Sequence, residues 1–286
     1  MNYQMVPLSA GLYFVGVPIG TARDITLRAL DVLASADVLA AEDTRSLRKL
    51  MDIHGVPLGS RRIVALHDHS GADVAMRLVE AVKEGKSVAY ASEAGMPLIA
   101  DPGFELSRLA VAEGINPTCA PGPSAVLTAL ALGGLPTDAF FFAGFLPNTT
   151  SARATALEKL KDVAGTLVFY ESPKRLGAML RDAASVLGDD RSAAVCRELT
   201  KKFEEVRRGS LKELSQIYEK LSPKGEIVVL VDRGHSETVK NVDIETSLRA
   251  ALKEMSVRDA ADMVSQAHDL PRRKVYQIAL SLDNEG

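Results

Sequence analysis

A chain of 286 residues is longer than one typical domain, and an apolar content of 47% is enough for substantial cores, so two α/β domains and a small terminal module are expected. The formal net charge of −3 excludes a uniformly basic nucleic-acid wrapper but leaves local basic patches open. Cys119 and Cys196 lie far apart in strand-like surroundings without a CxxC pair, which predicts two buried, reduced thiols in a cytosolic protein and neither a disulfide nor a zinc site.

The first predicted strand, residues 12–17, runs into a turn through Gly16, Pro18, Ile19 and Gly20 and then into a helix at residues 27–36. A glycine turn brings backbone N–H groups beside a ligand, and the helix that follows adds its positive end. Gly16 and Gly20 do not make GxGxxG and no Walker lysine follows, so neither a standard dinucleotide site nor a P-loop is predicted. In the helix, Ala29, Val32, Leu33 and Ala36 share one stripe, which should be buried.

Further strands are predicted at residues 38–41, 63–66, 88–92 and 117–120, with a helix at 74–83; short apolar runs alternating with helices indicate a parallel sheet. Pro121-Gly122-Pro123 interrupts the pattern, and Ser124 can cap an apolar helix over 125–132. The domain boundary is placed there, giving domains at 1–121 and 122–238. The most apolar stretch, residues 125–135, is too short for a membrane span and contains Gly133-Gly134, and no charged-then-apolar leader opens the chain, so a soluble protein is expected. Downstream strands at 140–146, 167–170, 193–196 and 227–231, with hairpins around Gly209 and Gly225, predict a mixed second sheet. Over 239–286, Ser256 to Asp259 resembles a capping box, with Ala260, Met263, Val264 and Ala267 facing inward. Leu270-Pro271 then precedes a second helix over 272–282, in a helix-turn-helix shape that can either dock on the core or touch RNA.

In open α/β sheets ligands bind beyond the carboxyl ends of the strands, so the polar residues directly after each strand are the candidates. They are Glu42, Asp43 and Arg45; His67, Asp68 and His69; Ser92 and Glu93; Glu171; and Arg197. His67 and His69 would point the same way along an extended segment, yet no second His or Cys pair supplies a closed metal site, so no metal is assigned. Each acidic residue can also form an ordinary ion pair, and the basic clusters at 45–49, 61–62, 207–208 and 272–274 can be plain solvated faces.

With these motifs in view the chain resembles the tetrapyrrole-methylase superfamily. It is most similar to the branch of bacterial 16S ribosomal RNA ribose 2′-O-methyltransferases that modify a decoding-centre cytidine. The resemblance rests on Val17-Pro18-Ile19-Gly20, Asp24-Ile25-Thr26-Leu27-Arg28-Ala29-Leu30, Ala41-Glu42-Asp43-Thr44-Arg45, His67-Asp68-His69 and Asp101-Pro102-Gly103, all in the first half. It continues through Pro121-Gly122-Pro123, Gly144-Phe145-Leu146-Pro147, Phe169-Tyr170-Glu171-Ser172 and Arg197-Glu198-Leu199-Thr200-Lys201, in collinear order.

The resemblance implies two α/β domains with S-adenosylmethionine in the cleft between them, a homodimer, and 16S ribosomal RNA or the small ribosomal subunit as partner. Implied cofactor contacts are Pro18, Ile19 and Gly20; Ser92, Glu93, Ala94 and Gly95; Asp101; Pro121, Gly122, Pro123 and Ser124; and Tyr170. Base candidates are Glu42, Asp43, His67 and Glu171, because a ribose hydroxyl needs a proton acceptor within hydrogen-bond reach. Arg45, His69, Arg197 and Lys201 are assigned to the RNA. The family usually writes Ser-Asp-Ala-Gly-Thr-Pro and Thr-Pro-Ile-Gly-Asn, whereas this chain has Glu93 and Met96 in the first motif and Val17 and Thr21 in the second. Two alternatives are a corrinoid or porphyrin C-methylase on the same scaffold and a non-catalytic RNA or ribosome-assembly binder.

Overall fold

The computed structural model describes residues 2–67, 72–100, 103–221, 223–233, 236–267 and 272–283. Asp68, His69, Asp101 and Leu270-Pro271 of the sequence analysis lie outside the described residues.

The first sheet contains β1 (Gly11–Val15), β2 (Val38–Ala41), β3 (Ile63–Ala65), β4 (Ser87–Ala91) and β5 (Thr118–Ala120) in the order β3-β2-β4-β1-β5, with all neighbours parallel. The connecting helices are α1 (Leu27–Ser35), α2 (Thr44–His54), α3 (Ala72–Lys83) and α4 (Phe104–Ala112). Helices on both faces explain why all of β4 is buried and why its sequence shows no polar alternation. Val15, Leu39 and Ala89 pack with Leu33 of α1 on one face, while Phe14, Val88 and Tyr90 pack with Leu78 of α3 and Leu106 of α4 on the other. The stripe Ala29, Val32, Leu33 and Ala36 is buried as its spacing predicts.

The second sheet follows α5 (Ala125–Gly133). It contains β6 (Phe140–Phe145), β7 (Thr166–Glu171), β8 (Ser192–Arg197), β9 (Glu205–Ser210) and β10 (Ile227–Val231), with α6 (Thr150–Glu158), α7 (Leu176–Leu187) and α8 (Leu211–Lys220) between them. Its order is β6-β7-β10-β8-β9; β6 and β7 are parallel and the remaining neighbours antiparallel, the mixed sheet expected from sequence. Neither expected hairpin is found where it was placed: the β8–β9 hairpin turns over residues 198–204, Gly209 lies inside β9 opposite Ala193, and Gly225 lies on the connection from α8 to β10. The segment Glu205-Val206-Arg207-Arg208 carries no strand signal in the sequence because it is a polar edge strand with one short apolar side chain.

The chain ends in α9 (Ser236–Ala251), α10 (Val257–Ala267) and α11 (Arg272–Asp283), which close around Ile244, Leu248, Ala260, Val264 and Val275. This unit has one helix more than the predicted pair, because α9 is too polar to announce an inward face. Ser256 accepts the N–H of Asp259 at 3.3 Å, so the predicted start of α10 holds. Met263 and Ala267 are exposed where they were expected inside, and Ala261 is buried instead. The thiols also differ from expectation: Cys196 is buried but Cys119 is exposed on the short β5. Among the described residues no helix is long and apolar enough to cross a membrane.

Candidate active site

Because the first sheet is parallel, all five of its strands release their chains at one edge. Strand order divides that edge in two. The turns that follow β4, β1 and β5 are neighbours, and the segments that follow β3 and β2 lie beside them. Ser92 to Gly95, Pro18 to Gly20 and Pro121 to Ser124 thus come together, with His67 and Glu42 on the flank.

The three turns are tied by main-chain groups. Val17 and Gly95 exchange both N–H···O bonds, at 2.9 and 3.1 Å, and the Gly16 N–H donates to the Ala120 carbonyl at 2.9 Å. Gly16 and Gly122 lie so close that a Cβ on Gly16 would fall 2.6 Å from the Gly122 nitrogen. Gly95 adopts φ +75°, in the left-handed region that favours glycine. Ser92 is buried, with its hydroxyl donating to the Ala94 carbonyl at 3.3 Å. Met96, in place of the family's threonine, accepts the Gly122 N–H on its sulfur at 3.2 Å, so the thioether joins the second and third turns. Thr26, from the family-like motif, caps α1 and also donates to the Pro121 carbonyl at 3.4 Å, while Arg28 donates to the Cys119 carbonyl at 3.1 Å. These residues clasp the β1 and β5 turns from behind.

On the flank, Glu42 is half-buried, and one of its oxygens, Oε2, accepts the Glu93 N–H at 3.0 Å. The Glu93 position therefore acts through its backbone, and its own side chain is exposed. Asp43 is the N-cap of α2 and accepts the Arg45 N–H at 2.8 Å. That bond, with the Arg45 guanidinium, holds its carboxyl below the usual range. His67 is exposed one residue beyond Leu66, whose N–H reaches the Ala41 carbonyl at 2.8 Å, so His67 and Glu42 leave adjacent strands at the same edge.

The second sheet approaches through α5 and through the 198–204 turn. Ile19 packs into the cluster formed by Val126, Ala129, Val168 and Leu199, with Tyr170 against it. Tyr170 stacks edge-on with Phe142 at 4.9 Å and Phe145 at 5.6 Å. Glu198 and Thr200 hold φ +50° and +63°. Thr200 accepts the Thr21 N–H at 3.2 Å, and the Thr21 hydroxyl donates to the Thr200 carbonyl. A Cβ on Gly20 would lie 2.5 Å from the Lys201 side chain. The motif ending in Thr200-Lys201 is thus a contact between the two halves of the chain.

Glu171 departs from the rim expected for it. Strand alternation turns its side chain to the face opposite Tyr170, where it is 3% exposed, pairs with Arg175 at 3.2 Å and accepts the Ser172 N–H at 2.7 Å. Burial pushes its carboxyl above the ordinary range despite Arg175. Arg153 and Asp182, bonded at 2.7 Å, complete the same buried network. Arg197 and Lys201 are likewise engaged, the first with Glu205 at 3.1 Å and the second with Glu198 at 2.9 Å and Glu226 at 3.0 Å.

In two of the four basic clusters, individual arginines serve the fold. Arg61 donates to the carbonyls of Leu33, Ala36, Pro57 and Leu58, closing the end of α1. Arg208 donates to the carbonyls of Leu132 and Gly133 at the end of α5, and Arg207 pairs with Glu205 at 2.8 Å and lies over the Tyr218 ring. Arg45, in contrast, is 92% exposed.

The sequence pattern of the Tetrapyrrole (Corrin/Porphyrin) Methylases matches residues 11–215, and that of the RsmI C-terminal HTH domain matches residues 238–283. A Mesorhizobium japonicum protein named ribosomal RNA small subunit methyltransferase I is 44% identical over 277 residues, 96% of this chain and 93% of its own length. A Vibrio cholerae protein of the same name is 41% identical over 94% of each chain. Among solved structures, cobalt precorrin-4 methyltransferase superposes with a TM-score of 0.60 at 18% identity, covering 78% of this chain and 95% of its own. Uroporphyrin-III C-methyl transferase from Thermus thermophilus, complexed with S-adenyl homocysteine, gives 0.55 at 17% identity, covering 81% and 99%. The chain belongs to the tetrapyrrole (corrin/porphyrin) methylase family.

Proposed function

We propose that this chain methylates the ribose 2′-hydroxyl of a cytidine in the decoding centre of 16S ribosomal RNA, using S-adenosylmethionine. The relatives named for small-subunit ribosomal RNA support the acceptor. The observation that carries the site is the division of one sheet edge into a main-chain cradle and an acidic, imidazole-bearing lip. Residues 1–121 and 122–238 act as the two jaws, and residues 239–286 as the appended module.

The cradle fits the cofactor. Gly16 and Gly122 let the β1 and β5 turns close on each other and Gly20 lets the 198–204 turn reach the β1 turn, so main-chain groups converge at one edge; the buried Ser92 hydroxyl adds a polar point, and Ile19 and Tyr170 offer an apolar wall. Pro18 to Gly20, Ser92 to Gly95 and Pro121 to Ser124 would hold it. When bound, it supplies an electrophilic methyl group on a sulfonium.

A ribose hydroxyl becomes nucleophilic as its proton is taken. Glu42 is the first candidate base: the Glu93 N–H fixes Oε2, and Oε1 is left to accept the hydroxyl proton. His67, on the adjacent strand end, is the second. Asp43 is committed to capping α2, and Glu171 holds Arg175 and thereby the end of β7, so both act by positioning. Arg45 meets phosphate, while Arg197 and Lys201 order the 198–204 turn. β6 is an edge strand with Phe140, Phe141 and Phe145 exposed, which supports a homodimer closed over that edge.

The test replaces Glu42, His67, Asp43 and Glu171 singly, by Gln, Ala, Asn and Gln, and measures ribose methylation of 16S ribosomal RNA by mass spectrometry with cofactor affinity by calorimetry. Glu42→Gln should lower kcat by roughly 10²- to 10⁴-fold while affinity for the cofactor stays within a few-fold, because an amide oxygen can still accept the Glu93 N–H. Normal methylation by all four variants refutes the base assignment. Transfer of label to a tetrapyrrole but not to RNA refutes the acceptor.

A further inference from the structure

The N-terminal turn of α2 starts one residue after Asp43, and from there an open groove of about 910 Å³ runs along α2 towards β3. Its walls carry Arg45, Arg48, Lys49, Arg61 and Arg62. Arg45, Arg48 and Lys49 are spaced i, i+3 and i+4, which puts them on one side of the helix. The acidic groups that face them are Asp43, paired with Arg45 at 3.4 Å, and Asp52, paired with Arg48 at 3.1 Å between two exposed side chains. Exposed pairs of this kind contribute little and give way to a competing anion. Arg61 is spent on four backbone carbonyls, whereas Lys49 and Arg62 have no acidic partner among the described residues. Ile53, more than half exposed, adds an apolar surface among these cations.

We infer that this groove is a track for the sugar-phosphate backbone of a single RNA strand, flanking the ribose presented at the Glu42 lip. The inference rests on the RNA methylation reading and extends it, because it names where the rest of the strand lies. Three features carry it: an excess of cations with no structural duty, their gathering along one shallow surface between α2 and β3, and continuity with the candidate base through Asp43 and Thr44. Arg48, Lys49 and Arg62 contact phosphates; they do not touch the reacting atoms. Such contacts release counterions, so binding through them weakens with salt in proportion to their number.

The test uses the full chain with Arg48→Gln, Lys49→Gln and Arg62→Gln combined, leaving Arg61 intact so that α1 stays closed. A fluorescent unstructured RNA of about a dozen nucleotides is titrated by anisotropy at several salt concentrations, and methylation kinetics are run on 16S ribosomal RNA. At roughly 0.7 counterions per contact, the triple variant should lose about 2 from the slope of log affinity against log salt. KM for RNA should rise about tenfold or more, with kcat and cofactor affinity unchanged. An unaltered slope and KM in a variant that melts like the parent overturns the groove while the methylation reading stands. If the parent protein transfers no methyl group to ribosomal RNA, the methylation reading fails and the inference built on it is overturned; retention of the slope loss in the anisotropy titration would then mark the failure as one of the acceptor, not of the groove's affinity for RNA.

Discussion

The closest main-chain approach in the cradle is that of Gly16 to Gly122, and Gly16→Ala tests what it does. A Cβ at Gly16 would sit 2.6 Å from the Gly122 nitrogen, 2.7 Å from its Cα and 2.9 Å from the Met96 sulfur. Two of those atoms are backbone, so no side-chain rotation relieves the clash and the β1 and β5 turns must separate. Overpacking of this kind costs about 1–3 kcal/mol. For a unit of this size, a loss of that order lowers Tm by roughly 3–10 °C. The same separation disturbs the Gly16 bond to Ala120 and the Met96 bond to Gly122, and we expect cofactor affinity to fall at least about tenfold, or 1.4 kcal/mol. Gly11→Ala, at the start of the same strand, is the control, because a Cβ there meets nothing nearer than the Tyr13 ring at 3.5 Å. Thermal melts and calorimetric titration with S-adenosylmethionine measure both effects. A Gly16→Ala protein that matches Gly11→Ala in Tm and affinity would show that the close approach of the turns has no bearing on the cofactor.

Other consequences are equally direct. Asp182→Ala strands the Arg153 guanidinium, 2% exposed, without its carboxylate and should destabilise the protein by roughly 3–5 kcal/mol in urea unfolding; a loss below about 1 kcal/mol would show that water reaches the pair. Iodoacetamide at pH 8 should modify Cys119 and spare Cys196, whose thiol is buried and pushed up to about 11, and equal labelling in peptide mass spectra would contradict the burial. Hydrogen bonds from the Ser87 hydroxyl and N–H hold the Asp37 carboxyl below its ordinary value. Its stabilisation is therefore complete above the unfolded value of about 3.9 and is lost as pH falls through the folded value. Asp37→Asn should flatten that acid limb in melts between pH 2 and 6, and an unchanged limb counts against the assignment.

Much of this protein is decided by local pattern. Central strands covered on both faces must be apolar throughout, so β2 and β10 could be delimited to the residue, and the period of α1 identified its inner face. The rule that ligands sit beyond the carboxyl ends of strands then collected the polar rim without any knowledge of contacts. What pattern could not supply is strand order. The grouping of the turns after β4, β1 and β5, with Glu42 and His67 on the flank, depends on pairings between residues far apart in the chain. Residue function within a motif was also hidden, because the direction of a side chain depends on its partner elements. Glu171 follows Tyr170 in sequence yet faces the opposite side of the sheet, Arg61 and Arg208 close helices, and Met96 replaces a hydroxyl by offering its sulfur to Gly122. Periodicity records which side of an element is buried; only the packed chain decides what it is buried against.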